Sequence, residues 1–345
     1  MTAAASDSIL TYPFDAQPAE GSSMQVAPGV RWVRMALPFA LDHINLWLLD
    51  DGDTLVAIDS GYGLERTREA WTRVLANEPR RLARVIVTHH HPDHIGLASW
   101  LAARDGGEIH MTLGEYLGGH AIWHQLPGYS VTDMVAQFRN HGLAEERAVA
   151  LSSRGNAYRS GIPEMPSRFH RLLDGEHIRI GGNDWRIITG YGHAPEHASL
   201  YCEKLGVLIS GDMLLPRIST NISVYAATPH DDPLGRFLDS IREFLDLPDE
   251  TLVLPSHGKP FKGIRARVEQ LVAHHRERCA ELLSECSDPR CAGELLGTLF
   301  PRELDTHQSM FAMGEAIAHL NYLEKQGALR RVVGSDDLIR YVRTS

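Results

Sequence analysis

Cysteine is scarce in this chain, with four in 345 residues, and none of the four sits in a metal-binding pair. Cys279, Cys286 and Cys291 are separated by gaps of six and four residues, where a zinc knuckle needs C-x-x-C. Together with Cys202, which lies in a strand-like segment, they read as free buried thiols. Long apolar runs are lacking too: no stretch reaches the roughly 18 residues of a membrane span. Met1 to Glu20 holds no basic residue and no apolar h-region, so no secretory signal is visible and the cytoplasm is the expected compartment. Positive charge is also short, 34 basic against 44 acidic side chains for a net charge of −10. That balance argues against nucleic acid and anionic membrane as general partners. What the chain does have is 43% hydrophobic residues, enough to bury a sizeable core in one large domain plus a smaller one.

The most informative segment is Thr88-His89-His90-His91-Pro92-Asp93-His94-Ile95-Gly96, directly after the apolar run Val85-Ile86-Val87. It reads as a strand ending in a metal-binding loop, because imidazole and carboxylate suit zinc and other borderline divalent metals. His89 and His91, two apart, point the same way on extended chain, and His90 faces the other way in a structural role. Asp93 reads as helix N-cap or ligand, and His94 opens an apolar stretch of helical spacing.

The same plan recurs. Gly192-His193-Ala194-Pro195-Glu196-His197 follows the strand-like Trp185 to Thr189, Val207 to Ser210 runs into Gly211-Asp212, and Leu252 to Leu254 runs into Pro255-Ser256-His257-Gly258. Four apolar strands each lead into a Gly- or Pro-flanked His or Asp, so one edge of a sheet core is expected to collect the ligands.

These segments resemble the metallo-β-lactamase-fold hydrolases. The likeness covers roughly residues 25 to 262 and rests on H-x-H-x-D-H at His89, His91, Asp93 and His94, on G-H-x-P-x-H at His193, on G-D at Asp212, on S-H-G at His257, and on Ile58-Asp59-Ser60-Gly61. It implies an α/β fold, an αββα sandwich with the site at one rim. His89, His91 and His193 would hold one metal, Asp93, His94 and His257 a second, and Asp212 would bridge them. Two divalent ions are implied, zinc first, with iron or manganese accepted by the same ligands. An Asp at 212 looks like the glyoxalase II (hydroxyacylglutathione hydrolase-like) and lactonase branches, whereas many zinc β-lactamases place a Cys there. The Glu that the flavodiiron branch carries within the first motif is absent, and Glu196 replaces a Gly common in the family.

Two such ions share a water and lower its pKa enough to supply hydroxide near neutral pH. The expected reaction is therefore attack of that hydroxide on the carbonyl of a small activated acyl substrate, with a thioester first and a lactone next. Asp93 would also orient the hydroxide, and Tyr225, on the metal-proximal loop, is the candidate oxyanion or substrate contact. Asp59 is assigned to holding a ligand histidine in its tautomer. His197 reads equally as such a support or as a packed polar residue, and His43, His110, His120, His124, His230, His274 and His275 read as structural. Phosphodiester cleavage by a nuclease and mononuclear iron oxygenation are the other chemistries the ligand set admits.

Residues 1–24 read as a loose N-terminal arm, 25–262 as the catalytic domain with a helical insert at about 113–170, and 263–345 as a C-terminal module. The insert is expected to act as lid or pocket wall. The module reads as three helices and a hairpin around Gly334, a winged-helix-like pattern. It carries eleven basic against twelve acidic residues, so a pocket-covering or dimer-forming role is expected before DNA binding.

Overall fold

Alternation of apolar side chains along the strands decides the layering, since successive residues face opposite sides of a sheet. The computed structural model describes residues 10–76 and 78–344. One sheet has seven strands in sequential order: β1 (Ser23–Ala27), β2 (Val30–Ala36), β3 (His43–Asp51), β4 (Thr54–Ile58), β5 (Arg81–Ile86), β6 (Glu108–Met111) and β7 (His170–Arg171). Pairing is antiparallel from β1 to β4 and parallel from β4 to β7. The second sheet runs β12 (Leu252–Pro255), β11 (Val207–Gly211), β10 (His197–Cys202), β9 (Asn183–Gly190) and β8 (His177–Ile180).

Trp32, Trp47, Val56 and Ile58 of the first sheet share one buried cluster with Trp185, Ile187, Leu200, Ile209 and Leu254 of the second. Their sequence neighbours Val33, Leu46, Leu48, Leu55 and Ala57 face the other way, onto the helices Glu65–Ala76 and Ala98–Asp105. On the far side, Leu208 and Val253 pack against the helices Pro233–Glu243, Ile264–Glu285 and Thr306–Lys325. The result is an αββα sandwich with three apolar interfaces. Each fully buried Leu, Ile or Phe in them contributes about 1.5–3 kcal/mol relative to exposure. The two sheets are also tied by Asn45, which accepts from the Trp32 indole (2.8 Å) and donates to the carbonyls of Pro255 and Gly258 (2.8 Å each).

Between β6 and β7 lie the helices Leu113–Trp123, Val131–Asn140, Glu145–Ser153 and Ala157–Gly161. Val135, Phe138 and Leu151 from this insert join Met313 and Ile317 of the C-terminal helix Thr306–Lys325 in the cluster that covers the second sheet. After that helix come β13 (Leu329–Val333) and β14 (Ile339–Arg343), paired antiparallel. Of the expected N-terminal arm, residues 1–9 lie outside the described residues. The rest is more tethered than its composition suggests: Leu10 is buried, Thr11 exchanges backbone hydrogen bonds with Lys262 (3.2 and 2.8 Å), and β1 begins inside it. All four cysteines are buried and unpaired. No helix among the described residues is long and apolar enough to cross a membrane.

Candidate metal centre

Five strand ends meet at one rim of the sandwich. β4 delivers Asp59, β5 the loop His89–His94, β9 His193, β11 Asp212 and β12 His257. The donor atoms fall into two sets, His89, His91, His193 and Asp212 in one, Asp93, His94 and His257 in the other, each within 4.8 Å of one another. In the first set His89 Nε2 lies 2.9 Å from His91 Nδ1 and 3.2 Å from His193 Nε2. In the second, His257 Nε2 is 3.5 Å and His94 Nε2 3.8 Å from Asp93 Oδ2. Asp212 stands between them: Oδ2 is 3.4 Å from His193 Nε2, and Oδ1 is 3.6 Å from His94 Nε2 and 3.5 Å from His257 Nε2.

Whether these side chains suit cations is tested by their unused lone pairs. His94 Nε2 and Asp212 Oδ1 are buried without a hydrogen-bond partner, an arrangement that costs free energy unless a cation takes both. The outward ring nitrogens of His94, His193 and His257, by contrast, are engaged. His94 Nδ1 lies 2.7 Å from Asp59 Oδ2, His193 Nδ1 2.7 Å from the Asn221 carbonyl, and His257 Nδ1 2.8 Å from the His43 carbonyl. Each partner accepts a proton at Nδ1 and thereby leaves the Nε2 lone pair facing the centre. The donor set therefore fits two divalent ions.

Electrostatics agree with that geometry. Burial, then the neighbouring rings, push the pKa values of His89 and His91 well below the ordinary histidine value, which leaves both neutral and able to ligate. Burial would raise Asp212, yet His257 and His94 hold it well below the usual carboxylate range. His94 goes the other way: burial opposes its charge, but Asp59, Asp93 and Asp212 outweigh it and hold the ring well above the ordinary value in the metal-free protein.

Local backbone explains how the loops reach these positions. The helix Pro92–Ile95 starts with His91 as N-cap and Pro92 in its first turn, so Asp93 is inside the helix and is not its cap. Asp59 has φ 61°, a left-handed conformation that a non-glycine residue adopts at a cost. Its carboxylate accepts from the Thr88 N–H (2.8 Å) as well as facing His94. Gly211 has φ 53°, and a Cβ there would sit 2.3 Å from His197 Nε2.

Sequence reasoning brought all seven donors to the rim and left His197 open between a support and a packed polar residue, but it missed other groups that hold them. His197 is fully buried, and its Nε2 accepts from the Asp212 N–H at 3.1 Å. Burial and His193 lower its pKa to about 4, which keeps it the neutral acceptor that this bond requires. His43 lends its carbonyl to His257 and its Nε2 to the Gly258 N–H (3.0 Å). Arg267, buried in the C-terminal part, donates to the carbonyls of Leu215 (2.5 Å) and Ile218 (2.8 Å) and so braces the loop behind Asp212. No spacing signal marks His43 or Arg267, since their partners are remote in sequence. His90 is buried and directed away from the donors, with Nδ1 2.5 Å from Glu115 Oε2. Tyr225 places its hydroxyl 3.3 Å from His90 Nε2. Asn321, in the last long helix, donates to the carbonyls of Pro229 (3.1 Å) and Asp231 (2.9 Å) beyond Tyr225.

Comparison with known proteins places this geometry. Residues 40–257 match a family described as the metallo-beta-lactamase superfamily, and residues 279–344 match a metallo-beta-lactamase-like C-terminal domain. The crystal structure of a beta-lactamase domain protein from Burkholderia ambifaria is 44% identical, covers 97% of this chain and 98% of its own, and superposes with a TM-score of 0.90. The Bacillus subtilis protein named "Probable metallo-hydrolase YqjP" is 26% identical over 86% of this chain and 92% of its own length. A hydroxyacylglutathione hydrolase of Halorhodospira halophila is 25% identical over 74% of this chain and 76% of its own.

Proposed function

Because the chain belongs to the metallo-beta-lactamase superfamily, we propose that it is a dinuclear metal-dependent hydrolase of small activated acyl compounds, with a thioester as the preferred substrate class. The observation that carries the dinuclear reading is Asp212, whose two oxygens face different donor sets at 3.4 Å and at 3.5 to 3.6 Å. When bound, two divalent ions, zinc in this proposal, supply a nucleophilic water near neutral pH and polarise the substrate carbonyl.

The chain's own groups have separable tasks in this reading. His89, His91 and His193 would hold one ion and Asp93, His94 and His257 the other, with Asp212 placed between the two sets. Asp93, on the same side as His257, orients the attacking water by accepting its hydrogen bond. Tyr225 is proposed as the donor to the developing oxyanion. Burial, then Glu115, push its pKa up, so the phenol keeps its proton at neutral pH and remains a hydrogen-bond donor.

The thioester is favoured by the hydroxyacylglutathione hydrolase relative, which aligns across most of the chain; the Asp at 212 is compatible with a thioester or a lactone. The winged-helix-like reading of the C-terminal segment is proposed to serve the site by covering it. Its support is the shared apolar cluster with the insert and the hydrogen bonds of Arg267 and Asn321 to the loop behind Asp212.

The test is a panel of initial rates on acyl-CoA thioesters, glutathione thioesters, acyl lactones and a phosphodiester, with Asp212→Ala as the metal-dependence control. Thioester turnover lost in the variant supports the proposal. Silence on thioesters with turnover of lactones or the phosphodiester moves the protein to that chemistry, and metal analysis of protein purified without added zinc shows whether zinc, iron or manganese is native.

A further inference from the structure

We propose that Glu115 is a positioning residue of the metal centre, its buried carboxylate locking the loop of His89 and His91 to the loop of His193 and, through His90, fixing the Tyr225 hydroxyl beside them. The inference rests on reading the rim as a metal centre, and it concerns a residue of the helical insert that ligates nothing.

Glu115 lies in the first turn of the helix Leu113–Trp123 and is fully buried. A glutamate there ordinarily turns back to cap its own helix, but this one leaves it. Oε2 accepts from the His90 backbone N–H (2.9 Å) and lies 2.5 Å from His90 Nδ1, while Oε1 accepts from the Glu196 N–H at 2.6 Å. One carboxylate thus bonds to the ligand loop between His89 and His91 and to the ligand loop three residues after His193.

The cap that Glu115 forgoes comes from the opposite loop. Glu196 Oε2 accepts from the Gly114 N–H (2.7 Å), and Thr112 Oγ1 donates to the Glu196 carbonyl (2.6 Å). The two side chains cross over: Glu115 serves the Glu196 backbone, and Glu196 serves the backbone of Gly114, the residue before Glu115. This gives a reason for a glutamate at 196: the side chain satisfies a helix N-terminus, where a carboxylate is stabilised by the helix dipole. Small residues let the helix sit this close. A Cβ at Gly114 would meet Glu196 Cδ at 2.9 Å, and one at Gly119 would meet His90 Cβ at 3.2 Å.

The centre depends on the separation of the two loops, because His89 Nε2 and His193 Nε2 are 3.2 Å apart and the His91 and His193 rings 4.6 Å apart. His90 extends the chain of contacts outward: its carbonyl accepts from Tyr158 (2.6 Å), and Tyr225 Oη lies 3.3 Å from its Nε2. A buried carboxylate is costly when its bonds are unmade. With three bonds to two loops it instead holds both at one spacing. Partners of this kind typically change metal affinity by about 10–100-fold when removed.

The experiment titrates metal-free Glu115→Ala and Glu115→Gln with zinc against a competing chelator, records the visible spectrum of each loaded with cobalt, and follows thermal unfolding of the metal-free forms. Glu115→Ala is expected to bind its ions about 10–100-fold more weakly and to show a changed cobalt spectrum while the metal-free protein stays folded. Glu115→Gln, which keeps an acceptor for the Glu196 N–H, is expected to lose less, and it carries the same test should the alanine variant fail to fold. Folded variants that bind zinc as tightly as the parent with an unchanged cobalt spectrum overturn the proposal, as does lowered thermal stability with unchanged affinity. Failure of the parent itself to bind zinc or cobalt would instead overturn the reading of the rim as a metal centre, before any variant is compared.

Discussion

Two groups of buried histidines in this molecule have opposite designs. At the rim, the outward nitrogens of His94, His193 and His257 are engaged by a carboxylate or a backbone carbonyl, and the inward nitrogens converge on Asp212. Between the C-terminal helices, His275 Nδ1 and His319 Nε2 face each other at 3.1 Å, His319 Nδ1 is taken by the Glu315 carbonyl, and His275 Nε2 has no partner. Both groups are buried, but only the first has a shared carboxylate and a common focus. Burial and histidine count do not make a metal centre. The direction of the lone pairs and a compensating negative charge do.

The largest way to break the comparison is to remove the shared carboxylate. A bound metal contributes several kcal/mol to transition-state stabilisation, and each 1.36 kcal/mol is about tenfold in rate, so Asp212→Ala should lower kcat by about 10³-fold or more on the substrate found by the panel. Metal content measured on the same preparation should fall in parallel. A variant retaining most of its turnover would remove Asp212 from its central position.

The next effect concerns orientation. Asp59→Asn keeps the shape beside His94 but replaces an acceptor by an amide that can present a donor to Nδ1, favouring the wrong tautomer. Metal affinity at the Asp93, His94 and His257 set should drop by about 10–100-fold, with the other set less affected. Equal weakening of both sets, read from stepwise chelator competition, would show that Asp59 acts on the fold as a whole.

A third effect is the pH dependence of metal uptake. In the metal-free protein the acidic neighbours hold His94 protonated above the ordinary histidine range, and a metal must displace that proton. Affinity should therefore rise with pH by about tenfold per unit until the raised pKa is passed, then level off. Zinc titrations in weakly buffered solution with a pH indicator should show proton release, and a flat profile would contradict the charge assigned to His94.

The effect furthest from the metal centre, read in stability alone, belongs to the C-terminal pair. Burial, the leading cause in both rings, lowers the pKa of His319 to about 4 and that of His275 further. As pH falls below the unfolded value of about 6.5, the unfolded chain gains protons that the folded chain refuses. Stability then declines by up to about 1.4 kcal/mol per histidine per pH unit. The double variant H275L/H319L should flatten that decline in urea unfolding between pH 7 and 5 and leave metal content unchanged, because replacing both partners of a buried bond by apolar groups is close to neutral. Loss of metal from this variant would end the contrast between the two clusters.

Much of the centre was legible from local sequence. His89 and His91 share a face because strand residues two apart must do so, and β11 and β12 are buried along their whole length because both faces are covered. Of the two readings of Asp93, N-cap or ligand, the first does not hold for the helix Pro92–Ile95, and the side chain lies in a donor set instead. Proline fits the first turn and moves the cap back to His91. His90 was rightly set apart from the ligands by alternation, yet its partner Glu115 was invisible, because nothing in residues 113–123 signals a carboxylate leaving its own helix. The fixed end of the N-terminal arm was equally hidden, since the bridge from Thr11 to Lys262 joins segments far apart in the chain.

The sequence alone therefore determined the donor residues, the strands that present them and the sandwich they belong to, because hydrophobic period and side-chain direction are set by neighbours a few residues away. Only the tertiary structure decided which ring nitrogen faces inward and which groups hold the loops at working distance. Those choices rest on contacts such as His257 with the His43 carbonyl, across 214 positions, and Glu115 with the Glu196 N–H, across 81. Hydrogen bonds of that separation exist only after the sheets and helices have packed, and no local pattern in the chain encodes their geometry.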